Sequence, residues 1–283
     1  MLSDVSFLLH IDEQILSALR EDAPGYDLSA AVAPPSARGR AALTAKQDGV
    51  LAGLPVFRRV FTLLDASFRF DSALADGADV ARGQTIGELS GNARALLTGE
   101  RTALNYLQRL SGVATKTRRF AELLRGRHTR LVDTRKTTPN MRLLEKYAVT
   151  VGGGGNHRFC LSDAVMLKDN HLSAAGGVAK AVAAARAAAP FTCRVEVEAE
   201  TLGQVREALE AGADIIMLDN MNADTMREAL ALISGRALTE CSGGVTEERL
   251  LEIAETGCDY VSCGALTHSA GVLDFSIKGL TLC

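Results

Sequence analysis

Basic side chains are concentrated in three short segments near the middle of the chain. Arg135 and Lys136 are adjacent in the sequence DTRKTTP, His157 and Arg158 follow a run of four glycines, and Lys168 ends the apolar segment AVMLK. A lysine at the end of a buried strand needs an anionic partner, and arginine with lysine recognises carboxylates and phosphates. The three segments therefore predict a clamp for an anionic ligand.

The first basic segment also offers neutral donors, because the hydroxyl of Thr134 and the loop amides lie beside its two cations. Two further cations of this region, Arg142 and Lys146, have a different interpretation. They fit one face of a helix together with Leu144 and Tyr147, so we expect ordinary surface charges there.

Glu198 and Asp219 each end a short apolar segment in the later half of the chain. Carboxylates at neighbouring strand ends can hold a ribose through its hydroxyls or a Mg²⁺ ion through water. They can also form salt bridges with Lys136 or Lys168, and the two roles are compatible. The sequence predicts carboxylates beside the basic group and leaves their partner open.

Small residues follow the last two apolar segments. Ser242, Gly243 and Gly244 precede a helix that we expect to begin near Thr246, and Gly264 follows the last segment. In α/β barrels, the final loops and a helix N-terminus often bind phosphate. These positions therefore predict a phosphate site, whereas the earlier run of four glycines has no Gly-Lys-Ser/Thr continuation and is not a P-loop.

Alternating elements must position these residues. Short apolar segments predict buried strands, and they are TRLVDTRK, DAVMLKDN, CRVEVEAE, DIIMLDN, ALTECSGG and DYVSCGA. Helices are expected between them over residues 174–189, 202–211, 223–233 and 247–256. Alternation of strand and helix predicts a parallel sheet, closed as an α/β barrel or, alternatively, open and doubly wound. The carboxyl ends of the strands carry the polar residues, as the active-site face of a barrel does.

The first third of the chain has a different pattern. Residues 11–21 predict a helix, and residues 39–57 and 68–92 alternate short apolar segments with glycine turns, which is typical of a small sheet. A domain boundary is expected near the helix that contains Leu104 and Leu107.

Composition excludes several classes of protein. The 283 residues carry a net charge of −3, contain no tryptophan and are 5% aromatic, so neither a basic field nor stacking platforms for nucleic acid are expected. The six cysteines form no CxxC motif or zinc-ligand spacing. The N-terminal segment lacks the features of a signal peptide and no apolar run has membrane-spanning length, so we predict a cytoplasmic protein with reduced thiols.

Long motifs occur in order along the chain: LLTGERTALNYLQRLSG, DTRKTTPNMRLLEKYAV, GGGGNHRFCLSDAVMLKDNH, VEVEAET, GADIIMLDNM, SGGVTEE and CGALTHSAGVLDFSI. Together they closely resemble the quinolinate phosphoribosyltransferase family. The resemblance implies an α/β fold with two domains. Residues 107–271 would form an incomplete parallel α/β barrel. Residues 1–106 would form a mixed α/β N-terminal domain, which residues 272–283 rejoin. It also implies a homodimer or a higher homo-oligomer with shared active sites.

The resemblance implies a reaction in which phosphoribosyl pyrophosphate and quinolinate give nicotinate mononucleotide, pyrophosphate and CO2, with Mg²⁺ as the cofactor. Quinolinate would contact a basic group that includes one residue of a neighbouring subunit, the ribose and Mg²⁺ would contact two carboxylates, and the 5′-phosphate would contact small residues. In this order the residues are Arg101 from the neighbour with Thr134, Arg135, Lys136, His157, Arg158 and Lys168; Glu198 and Asp219; and Ser242, Gly243, Gly244 and Gly264.

Alternative functions on the same fold are a molybdenum-associated paralogue, a sugar-phosphate-binding accessory protein and a non-decarboxylating nicotinate transferase. The retained NHR and KDNH segments and the full basic group favour the quinolinate enzyme. The chain departs from the family pattern at Asn140, where glycine is usual, and at Phe159 and Cys160, where less bulky residues are common. Asparagine tolerates left-handed backbone, so the turn at Asn140 is expected to persist.

Overall fold

The computed structural model describes residues 5–283, with side chains from His10 onward. Its longer helices are α1 (Val5–Asp22), α2 (Leu54–Leu64), α3 (Ala93–Leu123), α4 (Arg142–Val151), α5 (Asp169–Ala175), α6 (Val178–Ala188), α7 (Leu202–Glu210), α8 (Ala223–Ile233), α9 (Glu247–Thr256) and the short α10 (Ala265–His268). Its strands are β1 (Arg38–Ala45), β2 (Gly49–Val50), β3 (Arg69–Asp71), β4 (Asp79–Val80), β5 (Thr85–Asn92), β6 (Arg130–Val132), β7 (Val165–Leu167), β8 (Val195–Ala199), β9 (Ile215–Asp219), β10 (Leu238–Ser242), β11 (Tyr260–Ser262) and β12 (Phe275–Leu282).

The chain forms two compact units. The first unit contains the residues up to Lys116, the segment Pro139–Gly152 and the C-terminal segment Ala270–Cys283, and the second contains Thr117–Thr138 and Gly153–Ser269. The division falls inside α3, where one helix continues from the first unit into the second.

The first unit is built on an antiparallel sheet in the order β12-β1-β5-β3. The C-terminal strand therefore pairs with the first strand of the chain. Helix α2 contributes Phe57 and Phe61, which are fully buried with their ring centroids 5.2 Å apart in an edge-to-face arrangement. Such aromatic pairs contribute both apolar area and a preferred geometry to a core. This sheet with its helices is the mixed α/β domain that the resemblance implies.

The prediction of surface charge on α4 was wrong for Lys146, which is only 2% exposed. The neighbouring Glu145 is completely buried and accepts hydrogen bonds from the Nε and Nη2 atoms of Arg109 at 3.0 and 2.7 Å. Buried charges need such partners. The helical period placed Lys146 on α4 correctly, but it could not show that this side chain is buried.

The second unit alternates strands and helices around a parallel sheet of six strands in the order β6-β11-β10-β9-β8-β7. Strands β7 to β11 are neighbours in chain order and β6 pairs with β11, so the sheet lacks the reversal that a doubly wound sheet requires. Between β6 and β7, the two edges of the sheet, the glycine run makes an isolated parallel bridge from Gly155 to Val132. An incomplete parallel barrel is thus confirmed, and the doubly wound alternative is wrong.

Each predicted strand of the second unit is present, and three of the predicted helices have nearly the expected bounds as α7, α8 and α9. The helix expected over residues 174–189 is instead interrupted between α5 and α6. Gly176 and Gly177 have φ values of 79° and 120° there, which only glycine adopts readily. Among the described residues, no helix combines the length and the apolar character needed to cross a membrane.

Candidate active site

The strands of the second unit place alternate residues on the inner face of the barrel. Side chains two positions apart on a strand share a face, so Met166 lies with Lys168 on the β7 side, and Met217 lies with Asp219 on β9. The carboxyl ends of these parallel strands lie together at one end of the barrel. Polar inner-face residues near those ends are therefore brought together, although they are far apart in sequence.

A cavity of about 610 Å³, which we call the basic cavity, opens at this end of the barrel. It is lined by every predicted site residue except Arg101 and Gly264, and also by Met166, Met217, Asn220, Glu240 and Ser262. Gly264 lies beside the cavity, since a Cβ atom there would approach the Cδ atom of Lys136 to 2.8 Å. Arg101 belongs to the first unit, where it is exposed on α3 and lines another cavity of about 400 Å³.

Asp133 anchors the segments that carry the cations. Its fully buried carboxylate accepts a hydrogen bond from the Nδ2 atom of Asn156 at 2.7 Å and one from the amide of His157 at 2.8 Å. On the other side, the Oγ1 atom of Thr134 accepts the amide N–H of Lys136 at 3.0 Å. One carboxylate at the end of β6 thus holds the start of the His157–Arg158 segment against the Arg135–Lys136 loop.

The two arginines of the basic cavity differ in how they are held. The Nη1 atom of Arg158 donates to the carbonyl of Ala164 at 2.8 Å. Burial and the charge of Arg135 lower the pKa of Arg158, whereas Glu196 acts in the opposite direction. The Nε atom of Arg135 is buried and has no hydrogen-bond partner among the described residues. A buried donor without a partner is costly, so this atom indicates the place of an anionic ligand.

The predicted carboxylates line the same cavity. The Nζ atom of Lys168 forms a close salt bridge with the Oε2 atom of Glu198, and Asp219 accepts a hydrogen bond from the Nδ2 atom of Asn220 at 2.6 Å. Carboxylate oxygens are the ligands that Mg²⁺ prefers, usually one or two from the protein with the rest from water and phosphate. Glu198 and Asp219 therefore fit a magnesium ion carried by a phosphorylated ligand.

Close packing requires glycine at one position of the loop from Ser242 to Gly244. Gly243 has a φ of 97°, and a Cβ atom there would lie 2.1 Å from the Oδ1 atom of Asn220. No other residue could occupy this position without moving Asn220, itself a non-glycine residue with a φ of 53°. The loop from Ser242 to Gly244 thus presents its backbone to the basic cavity, just before the N-terminus of α9.

Glu196 and Glu240 were not singled out from the sequence. They lie on the inner faces of β8 and β10 and are 1% and 3% exposed, and each has a carboxylate oxygen close to the Nε2 atom of His157, at 3.3 and 3.1 Å respectively. In the sequence they stand two positions before the polar strand-end residues Glu198 and Ser242. That spacing places each of them on the same face as a predicted ligand residue and could have revealed them.

The protonation of His157 follows from these neighbours. Burial acts to lower the pKa of His157, but the hydrogen bonds and charges of Glu196 and Glu240 outweigh it and raise the pKa to about 10. The amide of Arg158 lies 2.7 Å from Nδ1, a contact that favours a neutral ring. Because Nδ1 accepts this amide N–H, the proton that faces Glu196 and Glu240 lies on Nε2.

The two departures from the family pattern have clear structural settings. Asn140 has a φ of 64°, so the left-handed turn expected for it is present. Phe159 and Cys160 form an exposed to half-exposed loop, and their amides donate to the Oδ2 atom of Asp163 at 2.6 and 3.3 Å. The bulkier pair is accommodated by solvent exposure.

Two family models match the chain. The N-terminal domain of quinolinate phosphoribosyl transferase matches residues 27–111, and the C-terminal domain matches residues 113–278. Among curated relatives, the probable nicotinate-nucleotide pyrophosphorylase [carboxylating] of Bacillus subtilis is 47% identical over 84% of this chain and 82% of that protein. The nicotinate-nucleotide pyrophosphorylase [carboxylating] of Homo sapiens is 44% identical over 93% and 89%. The crystal structure of NadC from Streptococcus pyogenes is 51% identical and superposes with a TM-score of 0.93 over 97% of this chain and 98% of that one.

Asp133 supplies a test of how the cationic segments are held. Asp133→Ala removes the acceptor of two hydrogen bonds and leaves their donors beneath the loop, so we expect the free energy of unfolding to fall by about 2–3 kcal/mol. The matched control is Asp163→Ala, which removes an exposed carboxylate that also caps two loop amides. Urea denaturation measures both. Equal losses in the two variants would contradict the assigned role of Asp133.

Proposed function

This chain belongs to the quinolinate phosphoribosyltransferase family, and we propose that it transfers phosphoribosyl from phosphoribosyl pyrophosphate to quinolinate with loss of CO2. The products are nicotinate mononucleotide and pyrophosphate, which makes the protein a pentosyltransferase of de novo NAD biosynthesis. The observation that carries this function is the basic cavity itself, where several cations surround a buried arginine donor without a protein partner. Family membership, predicted from the motifs, is confirmed by the matches to both domains.

Quinolinate carries two carboxylates on adjacent ring atoms, and the basic group has the matching charge. We assign the contacts to Arg135, Lys136, Arg158 and Lys168, with Thr134 as a neutral donor, since these side chains line the basic cavity. Hydrogen bonds from ionised donors to carboxylates contribute about 1.5–3 kcal/mol each. His157 belongs to the same wall.

The second substrate carries a ribose, a 5′-phosphate and a pyrophosphate. We assign Glu198 and Asp219 to the ribose hydroxyls and Mg²⁺, and we assign to the 5′-phosphate the small residues Ser242, Gly243, Gly244 and Gly264, which line the basic cavity or lie beside it. The ion would supply charge neutralisation for the pyrophosphate leaving group. Lys168 pairs with Glu198, so the dicarboxylate wall and the ribose wall meet at this salt bridge.

The chain's own residues contribute positioning and electrostatics to the chemistry. Electrons of the bond between ribose C1 and oxygen leave with pyrophosphate, and the developing positive charge at C1 faces the carboxylates of Glu198 and Asp219. The pyridine nitrogen then forms the new bond to C1, which requires the clamp to hold the ring in line. The nitrogen is now cationic, so it stabilises the electron pair left on C2 when the bond to its carboxylate breaks. That carbon takes a proton as CO2 leaves.

Arg101 is consistent with an assembly that shares its active sites. It is exposed on α3 of the first unit, and it lines a cavity with Glu21, Asp22 and Tyr106. We propose that Arg101 completes the basic cavity of a second copy of the chain, and that the protein is therefore at least a homodimer. We also propose a cytoplasmic location.

The direct test of the activity is incubation with phosphoribosyl pyrophosphate and quinolinate labelled in the carboxylate at C2. We expect release of labelled CO2 with one equivalent of nicotinate mononucleotide, and loss of release when Mg²⁺ is removed by a chelator and recovery when it is restored. Nicotinate replaces quinolinate in the control. Turnover of nicotinate without release from quinolinate would contradict the proposed function.

The clamp is tested by binding. Arg158→Ala is expected to weaken quinolinate binding at least about tenfold in a calorimetric titration, because it removes a charge-assisted contact. Arg206→Ala removes an exposed arginine of α7 and should bind quinolinate like the unchanged protein. Unchanged affinity in Arg158→Ala, with the fold preserved, would remove Arg158 from the clamp.

A shared active site is tested by mixing two inactive variants. Arg101→Ala lacks the residue donated to the neighbour, and Lys168→Ala lacks a residue of the cavity itself. After subunit exchange, a mixed dimer contains one cavity with both residues intact, so activity should rise to about a quarter of the wild-type level per cavity at full statistical exchange. Exchange shown by mass spectrometry without any recovery of activity would overturn the shared site.

A further inference from the structure

Below the predicted ligand residues, the barrel interior contains a buried ionic cluster. Glu196 from β8 and Glu240 from β10 each place a carboxylate oxygen at the Nε2 atom of His157, at 3.3 and 3.1 Å. The side chain of His157 is 12% exposed, and the two carboxylates are almost completely buried. The ring thus contacts two carboxylates from separate strands, and both His157 and Glu240 line the basic cavity.

Burying this cluster in the barrel interior costs folding free energy. The Oε1 atoms of Glu196 and Glu240 are buried and have no hydrogen-bond partner among the described residues. Well-packed apolar side chains in place of buried ion pairs are often neutral or stabilising. Met166 and Met217 lie on the inner faces of neighbouring strands, so apolar residues fit this layer. Stability of the barrel does not account for the two carboxylates.

The contacts of both His157 ring nitrogens indicate a role for the two carboxylates. Nε2 faces Glu196 and Glu240, and Nδ1 faces the amide of Arg158 at 2.7 Å. Both ring nitrogens therefore have protein neighbours, and these contacts fix the orientation of the ring. The Nδ1 contact joins the ring to the backbone of Arg158, whose guanidinium lines the basic cavity.

We propose that Glu196 and Glu240 are positioning residues that hold the His157 ring, with its proton on Nε2, and through it place Arg158 for binding of the dicarboxylate substrate. His157 in this arrangement contributes to the cavity wall by its place, whereas the guanidinium and ammonium groups donate to the ligand. The inference rests on the proposed function, since it assigns a role within quinolinate binding. It adds two residues to those that the motifs implied.

Steady-state kinetics separates this role from general stabilisation. Glu240→Gln and Glu196→Gln keep the shape of the side chain but weaken the hold on His157, so the KM for quinolinate should rise at least about fivefold while the KM for phosphoribosyl pyrophosphate changes less than about twofold. Glu207→Gln on the exposed side of α7 is the matched control and should leave both constants unchanged. Equal changes in the two KM values, or no change in either, would overturn the proposal. Absence of activity in the wild-type protein would instead overturn the proposed function.

Nitrogen-15 NMR of histidine-labelled protein tests the ring geometry without any turnover. The chain has five histidines, and the His157 signals are assigned by their loss in His157→Gln. In the wild-type protein at pH 7.5, Nε2 should carry a proton, and this signal should shift in both glutamine variants. An unprotonated Nε2 would contradict the proposal. So would a stoichiometric transition metal that the wild type retains and Glu240→Gln loses, because His157 would then be a ligand of that metal.

Discussion

Mutual repulsion of like charges is the constraint on which this site depends. Arg135, Lys136, Arg158 and Lys168 line one half-buried cavity, where their repulsion is stronger than at an open surface. The structure opposes that repulsion with carboxylates placed at different depths. Glu198 pairs with Lys168 at the level of the ligand, and Glu196 and Glu240 lie beneath His157. With Asp219 the site has four carboxylates beside its cations, and the buried Nε atom of Arg135 is left without a hydrogen-bond partner among the described residues.

The barrel makes this placement possible because parallel strands end at one edge and alternate their side chains. A predicted ligand residue and its inner neighbour two positions earlier share a face, so β8 and β10 each carry a predicted ligand residue and a carboxylate that contacts His157. Asp133 positions one of the loops, because its carboxylate accepts hydrogen bonds from Asn156 and from the amide of His157. Gly243 shows the tightness of the result, because a single added carbon would meet Asn220.

Sequence reasoning succeeded where local pattern decides the outcome. Apolar segments that end in polar residues located the strands of the second unit, and the strand ends located almost all of the cavity wall. It failed where tertiary packing decides. Glu196 and Glu240 stand inside apolar segments, where they look like interruptions of a buried strand. Lys146 is buried, although the residues around it are compatible with an exposed side chain. Asp133 accepts hydrogen bonds from amide groups of another segment, and such a contact cannot be read from residue type. The break at Gly176 and Gly177 could have been expected from paired glycines, but the alanine-rich surroundings favoured one helix.

The central claim is that the basic cavity binds the dicarboxylate substrate, and a crystal structure of the protein with quinolinate tests it most directly. We predict that the ligand lies in the basic cavity of the second unit, with one carboxylate within hydrogen-bond distance of the Nε atom of Arg135 and the ring nitrogen directed toward Glu198 and Asp219. Quinolinate bound at another place, or bound with the arginines of the cavity directed away from it, would contradict the account.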